Sequence, residues 1–169
     1  PEDTVVQTMP DVSPTKWHLA HVTWFFERFV LEPHLKNYAR FDEHYHYLFN
    51  SYYYTAGQMH ARPQRGLLSR PTLAQVLDYR SYVDTAVQQL LQTDAASARV
   101  SGLVTLGLNH EQQHQELLLT DIKHVFSCNP MKPAVSRGLK PTPRAETGDY
   151  RFSDGPDGIH QVGADGDGF

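Results

Sequence analysis

The sequence predicts an all-α protein, a four-helix bundle over residues 1–126 followed by an irregular C-terminal extension over residues 127–169. In the first region, apolar residues recur at steps of three and four in separate stretches, and no stretch reads convincingly as a sheet. The second region holds 7 of the 11 glycines and 5 of the 11 prolines, a composition that favours turns. The sequence therefore predicts two domains, residues 1–126 and residues 127–169.

The first helix has clear end signals. Ser13 is a suitable N-cap and Pro14 suits the first turn, so the helix should begin there and run to about Leu31, with Pro33 ending or kinking it. A second helix is predicted from about His44 to Ala56. The apolar side of this helix consists of Tyr45, Leu48, Phe49 and Tyr52. Tyrosine and phenylalanine also suit strands.

An arginine-rich loop is predicted from Gln58 to Ser69, and two further helices follow it. The third helix starts near Pro71 and Thr72 and ends near Gln92. Its predicted buried residues are Leu73, Val76, Leu77, Val83, Val87 and Leu90. The fourth helix is capped by Asp94 and reaches about Phe126.

Composition excludes several classes of function. With 15 basic and 19 acidic residues, the formal net charge of -4 gives no reason to expect nucleic acid or an anionic membrane as a partner. No apolar run approaches the roughly 20 residues that span a bilayer. The single cysteine, Cys128, excludes an internal disulfide and fits the reducing cytoplasm. Because the chain opens at Pro1 and stops in a glycine-rich segment, we expect a fragment of a longer protein.

Two histidines interrupt the apolar side of the fourth helix. His110 and His114 are four residues apart, so both rings leave the same helical face. The rest of that stripe is apolar or small, and comprises Ala96, Val100, Leu103, Gly107 and Leu117. A buried imidazole needs a polar partner, and one metal ion would satisfy both rings. We therefore predict a metal site in the core.

A first-row metal needs at least one more protein ligand. His21 is the best candidate because it lies within an aromatic stripe of the first helix, and His18, one turn earlier on a nearby face, is the rival. His124 is about 100° away from His114 around the helix and should reach solvent or a loop. The alternative without metal is that these histidines form hydrogen bonds in the core.

The same residues also spell the zinc-peptidase pattern H-E-x-x-H, in which Glu111 would be the general base. Three features argue against that reading. The pattern is short, and Leu117 stands where the extended peptidase motif has glycine. Finally, Glu111 leaves a bundle helix about 100° from His110 and should point aside.

Three segments resemble the ergothioneine-biosynthesis sulfoxide synthases, non-haem iron enzymes with an N-terminal DinB-like helical bundle. The first, residues 13–27, reads SPTKWHLAHVTWFFE. The second combines FNSYY at residues 49–53 with RPQRGLLSRPT at residues 62–72, and the third is HEQQHQE at residues 110–116. They occur in the family's order, and the similarity spans nearly all of residues 11–126.

The resemblance implies roles for five residues. His21, His110 and His114 would be ligands of Fe(II), Gln113 would help hold hercynine, and Arg65 would contact the carboxylate of the thiol substrate. The family reaction is that of an iron-dependent oxidoreductase. It joins the sulfur of cysteine or γ-glutamylcysteine to C2 of the hercynine imidazole, consumes dioxygen and leaves a sulfoxide.

The C-terminal extension also resembles part of this family. YRFSDG at residues 150–155, IHQVG at residues 159–163 and the final GF are similar to the opening of its formylglycine-generating-enzyme type domain. In the family the rest of that domain completes the substrate pocket and supplies a catalytic tyrosine. Without it, we expect this chain to bind metal at most and to be inactive alone.

Two related activities remain open alternatives. A DinB-like thiol transferase would place zinc or nickel at the same three histidines, and an ovothiol-type sulfoxide synthase would act on histidine itself. Imidazole ligands suit iron, zinc, nickel and copper alike, so the residues alone do not choose the metal.

Overall fold

The computed structural model describes residues 1–51, 57–93, 98–136, 138 and 148–163, and within these ranges every regular element is a helix. The α-helices are α1 (Thr15–Phe26), α2 (Glu32–His34), α3 (Tyr45–Phe49), α4 (Leu73–Leu91) and α5 (Ala98–Cys128). Two 3-10 helices span Glu2–Val5 and Arg62–Leu67, and a π-helical turn spans Glu27–Leu31. The all-α prediction is confirmed for this part of the chain.

The chain divides into two compact units, Pro1–Pro133 and Ala134–Phe169. All the helices lie in the first unit, and the described residues of the second unit form neither helix nor strand. Apolar side chains in the second unit, such as Phe152 and Ile159, are almost fully exposed. No helix among the described residues has the length and apolarity needed to cross a membrane.

The start of α1 differs from the prediction. Pro14 is the N-cap residue and no side chain caps the helix, so the assignment of Ser13 as the cap was wrong. The Ser13 backbone N–H donates to Asp121 and its hydroxyl accepts from Arg65. The same residue therefore ties the start of α1 to α5 and to the loop before α4. Beyond the π-helical turn, the chain stays helical through Pro33, and α2 ends at His34.

Helix α3 ends at Phe49, so the predicted second helix reaching Ala56 was wrong for the residues described. Asn50 is extended, and residues 52–56, including Tyr52, lie outside the described part. Side chains from α1 bond the last carbonyls of α3. Trp17 Nε1–H donates to Leu48 O at 3.0 Å, and His21 Nδ1 lies 2.6 Å from Phe49 O. Carbonyls at a helix end need such partners, and here α1 supplies them.

Helix α4 begins as predicted and buries a slightly different face. Thr72 and Gln75 form a reciprocal capping box at its start. Leu77 is 52% exposed, so its predicted burial was wrong, whereas the unpredicted Tyr79 is fully buried. The buried stripe consists of Val76, Tyr79, Val83, Ala86 and Leu90. The Tyr79 hydroxyl donates to the buried carboxylate of Glu27 at 2.6 Å, which explains how a tyrosine is accommodated there.

Helix α1 packs against both α4 and α5, and the core lies between them. Within the described residues α5 runs from Ala98 to Cys128, two residues beyond the predicted end, while Asp94 and Ala96 fall outside the described part. Of the predicted inward stripe of α5, Val100 and Gly107 are buried, whereas Leu117 is 39% exposed. Gly107 faces the ring of Phe26, and a Cβ at this glycine would lie 2.6 Å from Phe26 Cζ. The absence of a side chain here therefore lets α1 and α5 approach closely.

The predicted arginine-rich loop contains the 3-10 helix Arg62–Leu67 and is anchored to α1 by a buried lysine. Lys16 Nζ donates to the backbone carbonyls of Leu68, Ser69 and Pro71 at 2.9, 3.2 and 2.6 Å. This anchoring holds the arginines of the loop beside the first turns of α1.

Candidate metal centre

His21 projects from the middle of α1 and is 2% exposed. Its ring stacks between two tryptophans one turn away on either side, with centroids 4.6 Å from Trp17 and 5.6 Å from Trp24. The carbonyl oxygen of Phe49 can only accept, so the hydrogen of the 2.6 Å contact is on His21 Nδ1. The lone pair of His21 is therefore on Nε2.

His110 and His114 approach His21 from α5, as the sequence predicts. Their ring centroids lie 5.0 and 4.7 Å from that of His21, and 4.6 Å from each other. One nitrogen from each of the three rings can be chosen so that all three lie within 4.8 Å of one another. Three nitrogens bound to one ion at about 2.1 Å lie about 3.0–3.6 Å apart, so the rings would have to turn towards one another to bind it. These three histidines could hold a metal ion.

The electrostatic surroundings keep the three rings neutral. Burial lowers the pKa of His21 well below its usual value, helped by the neighbouring His114, and burial also lowers that of His110. Burial, followed by the effect of His110, lowers the pKa of His114 to about 3. Since a metal binds the neutral imidazole, the rings need not lose a proton at neutral pH. The buried Nδ1 of His110 has no hydrogen-bond partner among the described residues.

His18, the rival ligand in the sequence analysis, is not part of this three-histidine group. Its Nδ1 lies 2.8 Å from His114 Nδ1, and its Nε2 lies 3.0 Å from Asp121 Oδ2. Burial lowers the pKa of His18, against the opposing effect of Asp121. His18 is thus placed behind His114, as a link between that ring and a carboxylate.

Sequence reasoning missed Asp121. Asp121 lies seven residues after His114, two turns along the same face of α5. It is 9% exposed and also accepts a hydrogen bond from the Ser13 backbone N–H. A search for acidic residues on the histidine stripe would have found it.

The three histidines open onto a cavity of about 470 Å³. Its lining is polar, positively charged and aromatic, and comprises Ser13, Trp17, His18, His21, Ser51, Arg62, Arg65, His110, Gln113, His114 and Leu117. A groove of about 660 Å³ between the residue 35–41 loop and α4 is larger, but no histidine or cysteine lines it. The cavity at the histidines is therefore the better candidate for substrate binding.

The two predicted substrate-binding residues both line the histidine cavity. Gln113 is exposed on α5, one residue before His114. Arg65 is 2% exposed and donates to Ser13 Oγ at 2.8 Å and to Ser51 Oγ at 3.1 Å. Its guanidinium carbon lies 3.4 Å from the centroid of the Trp17 ring. Arg65 is thus held rigidly, with its charge at the cavity wall.

Glu111 does not face the histidine cavity. It pairs with Arg80 of α4, with N–O distances of 3.0 and 3.1 Å to the two carboxylate oxygens. The prediction that Glu111 points aside is confirmed, and the arrangement does not support a peptidase general base. His124 also points elsewhere, since its Nδ1 lies 2.7 Å from the hydroxyl of Thr8 in the N-terminal segment. Cys128 is exposed, and its sulfur lies 3.8 Å from the ring of His124.

No protein-family model matches the chain, and no curated protein matches it. The function of the chain is therefore inferred from the site geometry and from the resemblance of the sequence segments.

Proposed function

We propose that the chain is the metal-binding, DinB-like four-helix half of a non-haem iron, dioxygen-dependent sulfoxide synthase. The enzyme would join the thiol of cysteine or γ-glutamylcysteine to hercynine, in ergothioneine biosynthesis. The observation that carries the proposal is the convergence of His21, His110 and His114 on one cavity. The same cavity carries Arg65 and Gln113, the two residues that the resemblance assigns to substrate binding.

The residues present fit a mononuclear iron centre. Three neutral imidazoles bind a divalent first-row metal and leave its remaining positions for other ligands. His21 has its Nδ1 engaged by the Phe49 carbonyl, the arrangement that orients metal-binding histidines in general. The nitrogens of all three rings are close enough to share one ion. Iron(II), when bound, supplies the activation of dioxygen, while the protein supplies position and charge.

The cavity wall explains how the substrates would be oriented. Arg62 and Arg65 place two positive charges beside the histidines, and a guanidinium binds a carboxylate through paired hydrogen bonds. The substrate thiols and hercynine all carry carboxylates. The anchoring of Arg65 by Ser13, Ser51 and Trp17 fixes one of the two charges in place. Gln113 offers an amide donor and acceptor on the α5 side of the cavity for hercynine.

Metal binding by the purified chain tests the core of the proposal. Under anaerobic conditions the wild-type chain should bind one equivalent of Fe(II). His114→Ala should abolish this binding because it removes one of the three ligands. His124→Ala is the matched control, since His124 lies on the same helix and bonds Thr8 away from the cavity. Stoichiometric iron in the purified His114→Ala chain would reject the assignment.

Spectra of the metal-loaded protein test which substrates bind at the site. Hercynine should change the visible absorption of the chain loaded with Co(II), which reports changes at the metal. A change caused by histidine and not by hercynine would favour an ovothiol-type synthase. Tighter binding of zinc or nickel, together with thiol transfer that needs no dioxygen, would favour the DinB-like thiol transferase. Turnover should require, in addition to these residues, the rest of the formylglycine-generating-enzyme type domain that the resemblance implies.

A further inference from the structure

Hydrogen bonds connect three side chains, from Asp121 through His18 to His114. Asp121 Oδ2 lies 3.0 Å from His18 Nε2, and His18 Nδ1 lies 2.8 Å from His114 Nδ1. His18 is 4% exposed and Asp121 is 9% exposed. These hydrogen bonds connect two positions of α5, two turns apart, through a side chain of α1.

The chemistry of the groups sets the direction of the hydrogen bonds. A carboxylate oxygen only accepts, so the hydrogen of the first bond is on His18 Nε2. In a neutral imidazole the other nitrogen accepts, so His18 Nδ1 receives a hydrogen bond from His114 Nδ1–H. The lone pair of His114 is then on Nε2. Without the carboxylate, the hydrogen bond between the two rings could run in either direction.

We propose that Asp121, acting through His18, is a positioning residue that fixes His114 as the Nδ1–H tautomer and makes Nε2 the metal-binding atom. Phe49 O fixes the same tautomer at His21 by a direct hydrogen bond. Thus two of the three candidate ligands would be oriented by acceptors that never touch the metal. The proposal deepens the proposed metal centre and rests on it for the effect on affinity, but the tautomer itself can be measured without metal.

The structure also identifies a conservative substitution. The Ser13 backbone N–H donates to the same Asp121 oxygen that His18 contacts. In Asp121→Asn, this N–H favours the amide oxygen at that position, because the amide nitrogen would place two donors against each other. Asp121→Asn therefore keeps the acceptor for His18, whereas Asp121→Ala removes it.

Asp121 also helps to tie the N-terminal segment to α5, so the test needs a control for that structural role. His124→Ala provides it. His124, three residues after Asp121 on α5, bonds Thr8 of the same segment and takes no part in the hydrogen bonds that join Asp121, His18 and His114. Loss of the contact between the N-terminal segment and α5 alone should leave the His114 tautomer and the metal affinity unchanged.

The experiment uses the whole chain labelled with 15N on histidine. Long-range 1H–15N NMR spectra of the metal-free protein should show His114 as the Nδ1–H tautomer, assigned by comparison with His114→Gln. Asp121→Asn should retain this tautomer, and Asp121→Ala should give a mixture. In Co(II) titrations, Asp121→Ala should bind about 10- to 100-fold more weakly, the usual effect of losing such a partner. Asp121→Asn and His124→Ala should bind much as the wild type does.

Two results would overturn the inference. One is an Nε2–H tautomer of His114 in the wild-type chain. The other is an Asp121→Ala chain whose tautomer and Co(II) affinity match those of His124→Ala. If the wild-type chain bound no Co(II), the proposed metal centre would fail instead, and the tautomer would still decide whether Asp121 orients His114. The two failures are therefore distinguishable.

Discussion

The close approach of α1 and α5 at Gly107 leads to a quantitative prediction. A Cβ at this position would lie 2.6, 2.7 and 3.2 Å from three atoms of the Phe26 ring. Contacts that short cannot persist, and Phe26 is itself buried, so the ring or the helix must move. Gly102, five residues earlier in α5, is exposed, and a Cβ there meets nothing within 4 Å. The two glycines therefore form a matched pair.

The expected magnitudes follow from two opposing effects. Replacing a glycine inside a helix by alanine stabilises the protein by about 0.5–1 kcal/mol. Gly102→Ala should show this gain alone. Overpacking a buried contact costs about 1–3 kcal/mol, so Gly107→Ala should be destabilised relative to Gly102→Ala by that amount. Urea unfolding of the metal-free variants, followed by circular dichroism, measures the difference directly.

The same pair tests whether the packing positions the candidate metal centre. Gly107 lies one turn before His110, and Phe26 lies on α1 with His21. Pushing the helices apart should weaken Co(II) binding in Gly107→Ala, while Gly102→Ala should bind as the wild type does. Equal unfolding free energies for the two variants, within about 0.5 kcal/mol, would refute the packing argument.

Two further predictions concern the core and the histidines. Tyr79→Phe removes a 2.6 Å hydrogen bond to the buried carboxylate of Glu27 and should cost about 1.5–3 kcal/mol of unfolding free energy in urea titrations. Tyr82→Phe, whose hydroxyl bonds a carbonyl at an exposed site, should cost less than about 1 kcal/mol, and equal losses would contradict the role of Glu27. The pKa of His114 is about 3 in the folded chain against 6.5 ordinarily, so the unfolded chain binds the proton first. Metal-free protein should therefore lose stability as the pH falls below about 6.5. Between about pH 7 and pH 5, the Tm of His114→Gln should fall less than that of the wild type. An equal fall in Tm for the two proteins would contradict this.

The sequence predicted the histidine face of α5 because this information is local. A step of four residues fixes the angle between His110 and His114 whatever the helix packs against. The aromatic neighbours of His21 likewise indicated an inward face of α1, and both inferences agree with the structure. Periodicity was sufficient for these two faces, but not for that of α4, where Leu77 is exposed and Tyr79 is buried.

The prediction failed where a segment depends on partners distant in the chain. The aromatic spacing after His44 suits a longer helix, but α3 ends at Phe49, where its last carbonyls bond Trp17 and His21. Serine is a preferred N-cap residue, yet the polar atoms of Ser13 bond Asp121 and Arg65 instead. Local propensity favours one structure, and tertiary hydrogen bonds select another.

The orientation of the candidate ligand nitrogens also comes from distant residues. Phe49 O is 28 residues from His21, and Asp121 is 103 residues from His18 along the chain. A pattern of histidines indicates which rings converge, but a ring has two nitrogens, and only its hydrogen-bond partner decides which one faces an ion. The early ending of α3 leaves the Phe49 carbonyl available to His21. The departure from the predicted helix is therefore also part of what orients the candidate metal centre.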